Sequence, residues 1–172
     1  MCGITGFFPG PNGYHNLDHQ KYLLKMSEAL AHRGPNDSGA WFDEETGIGL
    51  AHQRLSIIDT SAAGHQPMDS SSGNFRVIFN GEVYNHIEIR KEIESIANVN
   101  WKSTSDTETI LEAFEVWGIE NSIKKFVGMF AIAVWAHKER SLYLIRDRLG
   151  EKPLYYGWQN DVFLFGSELK AL

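Results

Sequence analysis

Met129-Phe130-Ala131-Ile132-Ala133-Val134-Trp135 is an uninterrupted apolar run. A strand with one wet face alternates polar and apolar residues, whereas a strand covered on both faces does not need to. The run therefore belongs in the middle of the fold, with material on either side. Downstream, Ser141 to Ile145, Leu154 to Trp158 and Val162 to Phe165 read as three shorter strands separated by polar turns, and Ser167 reads as the N-cap of a helix just beginning. Upstream, residues 3–8, 39–44 and 48–58 are strand-like, the last two flanking the acidic turn Glu44-Glu45-Thr46-Gly47. Phe75-Arg76-Val77-Ile78-Phe79 forms another strand and runs into Asn80-Gly81 and Glu82-Val83-Tyr84. Pro9 to Gly13 breaks regular structure, Ser70 to Asn74 makes a turn, and Asp59 to Asp69, with Gly64 and Pro67, reads as a functional loop.

Helical spacing occurs in three places. Leu23, Met26 and Leu30 share a face between Asp18 and Ala31, ahead of the stop at Gly34-Pro35. Asn85 can cap a helix with Ile89, Ile93 and Ile96 on one side. Ser105-Asp106-Thr107-Glu108 has the form of a capping box before the stripe Ile110, Leu111, Phe114 and Trp117, which ends at Gly118. Residues 96–102 carry only a weak strand signal. Two groups of strands with helices between them imply an α+β fold in layers.

The chain has 172 residues, enough for one domain with a sizeable core. Hydrophobic residues make up 42%, which excludes disorder, and no apolar run approaches the ~20 residues of a membrane span. Sixteen Lys and Arg against 22 Asp and Glu give a net charge of −6, so no basic footprint argues for nucleic acid. The start lacks a secretory pattern, and one cysteine cannot form an internal disulfide, so a cytoplasmic location is expected. Seven scattered histidines and a single cysteine offer no zinc ligand set; no metal is expected.

That cysteine is Cys2, in Met1-Cys2-Gly3-Ile4-Thr5-Gly6-Phe7. If Met1 is removed, one residue carries both a thiol and a free α-amine, whose ordinary pKa of roughly 7.7–8.0 suits a base near neutral pH. The plain alternative is a small buried hydrophobe. Arg54, in Ala51-His52-Gln53-Arg54-Leu55-Ser56-Ile57-Ile58, lies amid apolar residues and needs an anionic partner, either an internal carboxylate or a ligand. Asn80-Gly81 is a strong hairpin signal, yet an Asn amide beside a Gly N–H also offers two donors to a developing oxyanion. Asp106 at a helix start is favoured by the helix dipole whatever else it does.

Taken together, MCGITGF, HRGPNDSG, LAHQRLSIID, FNGEVYNH, SDTETIL, GMFAIAVW and RDRLGEKPLYYG, in this order over nearly the whole chain, resemble the glutaminase domain of class II glutamine amidotransferases. NGEVYNH and RDRLGEKP look most like the form found in glutamine-hydrolysing asparagine synthetases. The resemblance implies an N-terminal-nucleophile hydrolase fold, four layers in the order αββα with two antiparallel sheets between helices, over residues 2–172. It implies Cys2 as nucleophile with its own α-amine as base, and Asn80 and the Gly81 N–H as oxyanion hole. Arg54 would hold the α-carboxylate of L-glutamine beside the backbone of Leu55, Ser56, Ile57 and Ile58, with Glu82 and Asp106 on the α-ammonium side.

Two motif positions depart from the family's usual form. Asn36 stands where HRGPDDSG has an acid, and Ala136 where an acid follows the buried Trp. Neither is a carried-over site residue. The chain has no SGGxDS pyrophosphate loop, so the resemblance implies a C-terminal synthetase domain outside it. ATP and Mg are expected only there, with no cofactor in this domain, and a homodimer is compatible. A sister amidotransferase serving a sugar-phosphate or phosphoribosyl acceptor is the alternative enzyme, disfavoured by NGEVYNH. A non-catalytic glutamine-binding module would have no need to keep Cys2, Arg54, Asn80, Gly81 and Asp106 together. Arg146, Asp147, Arg148 and Lys152 read either as an interdomain surface or as an internal ion-pair network.

Overall fold

The computed structural model describes residues 1–10, 18–56, 59 and 61–172. In chain order its elements are β1 (Gly3–Pro9), α1 (His19–Glu28), β2 (Asp37–Phe42), β3 (Gly49–Arg54), β4 (Met68–Asp69), β5 (Phe75–Val83), α2 (His86–Glu94), α3 (Asp106–Trp117), α4 (Ile119–Lys125), β6 (Gly128–Ala136), β7 (Ser141–Arg146), β8 (Tyr155–Gln159) and β9 (Val162–Gly166). The strands form two antiparallel sheets, β2-β3-β1-β9-β8 and β4-β5-β6-β7.

The apolar run at 129–135 lies in β6, between β5 and β7, with Val134 opposite both Val77 and Tyr143. Its two faces have different partners. Ala131, Ala133 and Trp135 pack with Ile78 against Ile4, Leu50 and Phe165 of the other sheet. Phe130, Ile132 and Val134 pack outward with Ile110, Leu111 and Phe114 of α3 and Ile89 and Ile93 of α2. On the far side, Leu23 of α1 covers Phe7 and Ala51. The layers are therefore helix, sheet, sheet, helix, the αββα order expected. Trp135 and Phe114 are each about 1% exposed, and truncating either to Ala would cost about 3–5 kcal/mol.

Local signals explain most boundaries. Asp18 caps α1 by accepting the Lys21 N–H at 3.1 Å. Ser105 caps α3 through the Thr107 N–H at 3.1 Å. The reciprocal half of that capping box is absent, because Glu108 turns to the Lys102 and Ser103 amides, both at 2.8 Å. Gly118, at φ 75°, ends α3 in a conformation that favours glycine.

Several expectations need correction. Asn80-Gly81 is not a hairpin, for β5 continues unbroken to Val83 in register with β6. The strand expected over 48–58 ends at Arg54, and Ile57 and Ile58 lie outside the described residues, as do residues 11–13 of the expected loop. Asn85 precedes α2 without a side-chain cap. Its amide instead bridges the Lys125 carbonyl and the Val127 N–H, at 3.0 and 2.9 Å. Ile96 falls beyond α2 and is exposed. Helix α4 was not foreseen, because Ile119–Lys125 is mostly polar and shows no stripe. Ser167 caps nothing; its hydroxyl accepts the Ile4 N–H at 3.0 Å and fastens the start of β1. Among the described residues no helix is long and apolar enough to cross a membrane.

Candidate active site

Side-chain alternation places the site. Ile48, just before β3, and Leu50 within it face the opposite sheet, so His52 and Arg54 continue that face. Ile4 does the same in β1, which puts Cys2 on the same side, and Ile78 in β5 puts Asn80 and Glu82 there. The apolar filling stops at the strand ends, and Cys2, Arg54, Asn80 and Glu82 line a cavity of about 130 Å³ together with Leu55, Ser56, Gly81 and Asp106. Every described residue assigned from the family motifs thus meets in one cavity. Ile57 and Ile58 lie outside the described residues.

Cys2 Sγ lies against the end of β3, 3.4 Å from the Leu55 N–H that donates to it and 3.6 Å from the Leu55 carbonyl. Its carbonyl accepts Arg33 Nε at 2.9 Å, and Arg33 in turn pairs with Glu168 at 2.8 Å. Gly3 lets the chain pass closely, since a Cβ there would lie 2.9 Å from Leu30 Cβ.

Arg54 is buried and donates to the carbonyls of Ser61, at 2.8 Å, and Asp59. No carboxylate among the described residues lies within ion-pair distance, so the expected internal partner is missing. The Asp59 carboxylate is occupied by Ser61 and Thr104. Asn36 fastens the segment after Arg54, accepting the Ser56 N–H at 3.0 Å.

Asn80 is about 1% exposed, and its Nδ2 has no hydrogen-bond partner among the described residues. The neighbouring N–H groups define an open strand edge. Phe79 N–H donates to Gln66 Oε1 at 2.7 Å and Val83 N–H to Asp106 Oδ2 at 3.0 Å, both away from β6. Strand alternation turns the Gly81 N–H to this edge, between them. A Cβ at Gly81 would sit 2.2 Å from the Met129 carbonyl, so only glycine fits.

Burial pushes the Asp106 carboxyl up to about 6; backbone N–H groups from Val83, Asp106 and Thr107 oppose this, and the nearby Glu82 charge adds to it. Burial also pushes His52 down to about 4, with Arg54 contributing, so its ring is neutral at pH 7 and its Nε2 lies 3.1 Å from the Phe79 carbonyl. Among the described residues no cluster of three or more His, Cys, Asp or Glu could hold a metal.

The place of two residues in the cavity was missed. Gln66 braces β5 and α3, through Phe79 and, at 3.1 Å, the Thr107 hydroxyl; its only signal was its place in the 59–69 loop. Lys152, read as part of an interdomain surface or an internal ion-pair network, is buried in the cavity wall and makes no ion pair among the described residues. Arg146 and Arg148 bind backbone carbonyls, and Asp147 binds backbone amides.

The sequence matches the glutamine amidotransferase domain family over residues 1–172. It is 38% identical to asparagine synthetase (glutamine-hydrolysing) 1 of Bacillus subtilis strain 168, over all of this chain and 26% of that protein. Asparagine synthetase (glutamine-hydrolysing) 3 of the same organism is 37% identical over all of this chain and 27% of its own length. The chain thus spans about a quarter of the length of these relatives. A solved structure, the glutamine phosphoribosylpyrophosphate amidotransferase of B. subtilis complexed with ADP and GMP, shares the fold with a TM-score of 0.78 at 19% identity, over 99% of this chain and 42% of that one. With a match from the first residue to the last, the chain belongs to the glutamine amidotransferase domain family.

Proposed function

We propose that this domain, once Met1 has been removed, hydrolyses the side-chain amide of L-glutamine to glutamate and ammonia. The observation that carries the reading is the meeting of the Cys2 thiol with the partnerless Asn80 Nδ2 in one cavity. A buried amide donor without a partner costs stability unless a ligand uses it. Arg54, with no carboxylate partner among the described residues, supplies the cation for the α-carboxylate, beside Leu55 and Ser56. Asp106 and Glu82 supply the negative side for the α-ammonium.

In the proposed reaction the Cys2 α-amine takes the thiol proton and sulfur attacks the amide carbon. Asn80 Nδ2–H and the Gly81 N–H donate to the resulting oxyanion. The amine returns its proton to the leaving nitrogen, the C–N bond breaks, and ammonia departs from a glutamyl thioester. Water, deprotonated by the same amine, attacks the thioester. The C–S bond then breaks, yielding glutamate and the free thiol. The names of the relatives support a further step in which a synthetase domain uses the ammonia to make asparagine.

Intact mass establishes whether Met1 is gone, and glutamate release is then measured for the wild type and Cys2→Ala. Release by the wild type alone is expected, with glutamine binding largely kept in the variant. Equal release from both, or none from the processed wild type, overturns the proposal.

A further inference from the structure

The scheme above leaves one buried cation unused. Lys152 is about 6% exposed, and the one partner recorded for its ammonium among the described residues is the Met1 thioether, 3.4 Å away. A thioether is a weak acceptor, and a buried ammonium without a carboxylate is costly. Yet the loop is built to hold it there. Asp147 accepts the N–H groups of Phe130, Leu149, Glu151 and Lys152, the last at 3.0 Å, while Arg146 Nε donates to the Lys152 carbonyl at 2.7 Å. Both backbone groups of Lys152 are thereby fixed, and its side chain is presented to the cavity shared with Met1 and Cys2.

The partner of Lys152 is the residue whose loss the proposed activity requires. Departure of Met1 does two things at once: it removes the thioether and creates a titratable amine on Cys2 beside the vacated space. We propose that Lys152 is a positioning residue for the nucleophile, its ammonium disfavouring protonation of the new Cys2 α-amine and so keeping that amine competent as a base at neutral pH. A free α-amine, at roughly 7.7–8.0, is mostly protonated at pH 7. A like charge sharing a partly buried cavity disfavours the protonated form, and a nearby pair lowers such a value by about one to two pH units.

The other charges around the cavity are already committed or pull the other way. Arg33, on the turn after α1, binds the Cys2 carbonyl and is paired with Glu168. Arg54 of β3 is held on the Ser61 and Asp59 carbonyls, and the Asp59 carboxylate on Ser61 and Thr104. Glu82 of β5 and Asp106 of α3 favour a protonated amine until a substrate ammonium engages them. Lys152 is the cation among these described residues whose recorded side-chain partner leaves with Met1.

This inference rests on the proposed glutaminase reading, and the test separates the two. Wild type, Lys152→Met, Lys152→Gln and Lys152→Arg, each with Met1 removal verified by mass and folding by thermal melting, are compared in two ways. One is the pH profile of kcat/KM for glutamine; the other is the pH dependence of Cys2 alkylation by iodoacetamide. Neutral variants should move the acid limb of both profiles upward by about one pH unit and converge on the wild-type rate above pH 9, while Lys152→Arg restores the wild-type limb. Superimposable limbs, or a loss that is equal at every pH, overturn the role of Lys152. A processed wild type that releases no glutamate overturns the parent reading alone, since alkylation still reports on Lys152.

Discussion

Asp106 Oδ2 accepts the Val83 backbone N–H at 3.0 Å, tying the first turn of α3 to the end of β5, two residues past Gly81. The bond helps set the open edge on which the Gly81 N–H sits, and it holds a carboxylate where water does not solvate it well. Burial raises that carboxyl from 3.8 to about 6. Since the folded value is the higher one, the linked stabilisation is complete below about pH 4 and is lost as pH rises through about 6. At pH 7 the charged Asp106 is a cost, on the order of 2–3 kcal/mol, kept for binding. Asp106→Asn retains an acceptor for Val83 and removes the charge. Urea unfolding should find it more stable than wild type at pH 8 and equal to it at pH 4, while KM for glutamine rises at least tenfold. A variant less stable at pH 8 with unchanged KM contradicts the assignment.

Gly64 forms the bed of the Arg54 guanidinium. A Cβ there would lie 2.0 Å from one terminal nitrogen and 2.7 Å from Cζ. The end of a flexible side chain gives way, so Gly64→Ala should still fold, destabilised by about 1–3 kcal/mol. The guanidinium, however, must leave the Ser61 and Asp59 carbonyls. KM for glutamine should rise tenfold or more, with kcat reduced less. An unchanged KM would show that Arg54 does not read the substrate.

Asn80→Ala separates structure from chemistry. Because Nδ2 has no partner among the described residues, the substitution breaks no bond they make with that atom, and the melting temperature should stay within a few degrees of wild type. If the amide stabilises the oxyanion, kcat falls by about 100- to 1000-fold while glutamine affinity is nearly kept. A fall in affinity alone, measured by calorimetry with Cys2→Ala as the background, would place Asn80 in ground-state binding instead.

How far the sequence foretold this depends on the range of the forces. The doubly apolar run at 129–135 revealed a covered central strand because burial on both faces is written directly into it. Cys2, Arg54 and Asn80 were legible as candidates through their motifs, but their convergence follows from strand parity, which needs the register of β1, β3 and β5. Local signals failed where long-range pairing outweighed them. The hairpin preference of Asn80-Gly81 yields to nine paired positions along β6, and the capping hydroxyl of Ser167 is claimed by Ile4. Gln66 carried no usable signal, and Lys152 was legible as a motif residue but not as a cavity residue, since each acts through a partner far away in the chain.

Glu168 supplies the last test, because it acts on Cys2 at one remove. Hydrogen bonding to Arg33 holds its carboxyl down at about 2, with His32 and Lys170 assisting against a smaller burial effect. The folded value is depressed, so the linked stability is present above about pH 4.5 and is lost as pH falls towards 2. Its side chain is 27% exposed, and solvent screening leaves about 1 kcal/mol at neutral pH. Glu168→Gln should therefore be slightly less stable than wild type at pH 7, with the difference closing near pH 2. Arg33 already has one terminal nitrogen without a partner among the described residues, and losing its carboxylate loosens its hold on the Cys2 carbonyl. The nucleophile is then less well placed, so kcat should fall about fivefold with KM nearly unchanged. If kcat is unaffected while stability falls, the Arg33–Glu168 pair serves only to fasten the chain end to α1 and its following turn, and the position of Cys2 is fixed by Leu55 alone.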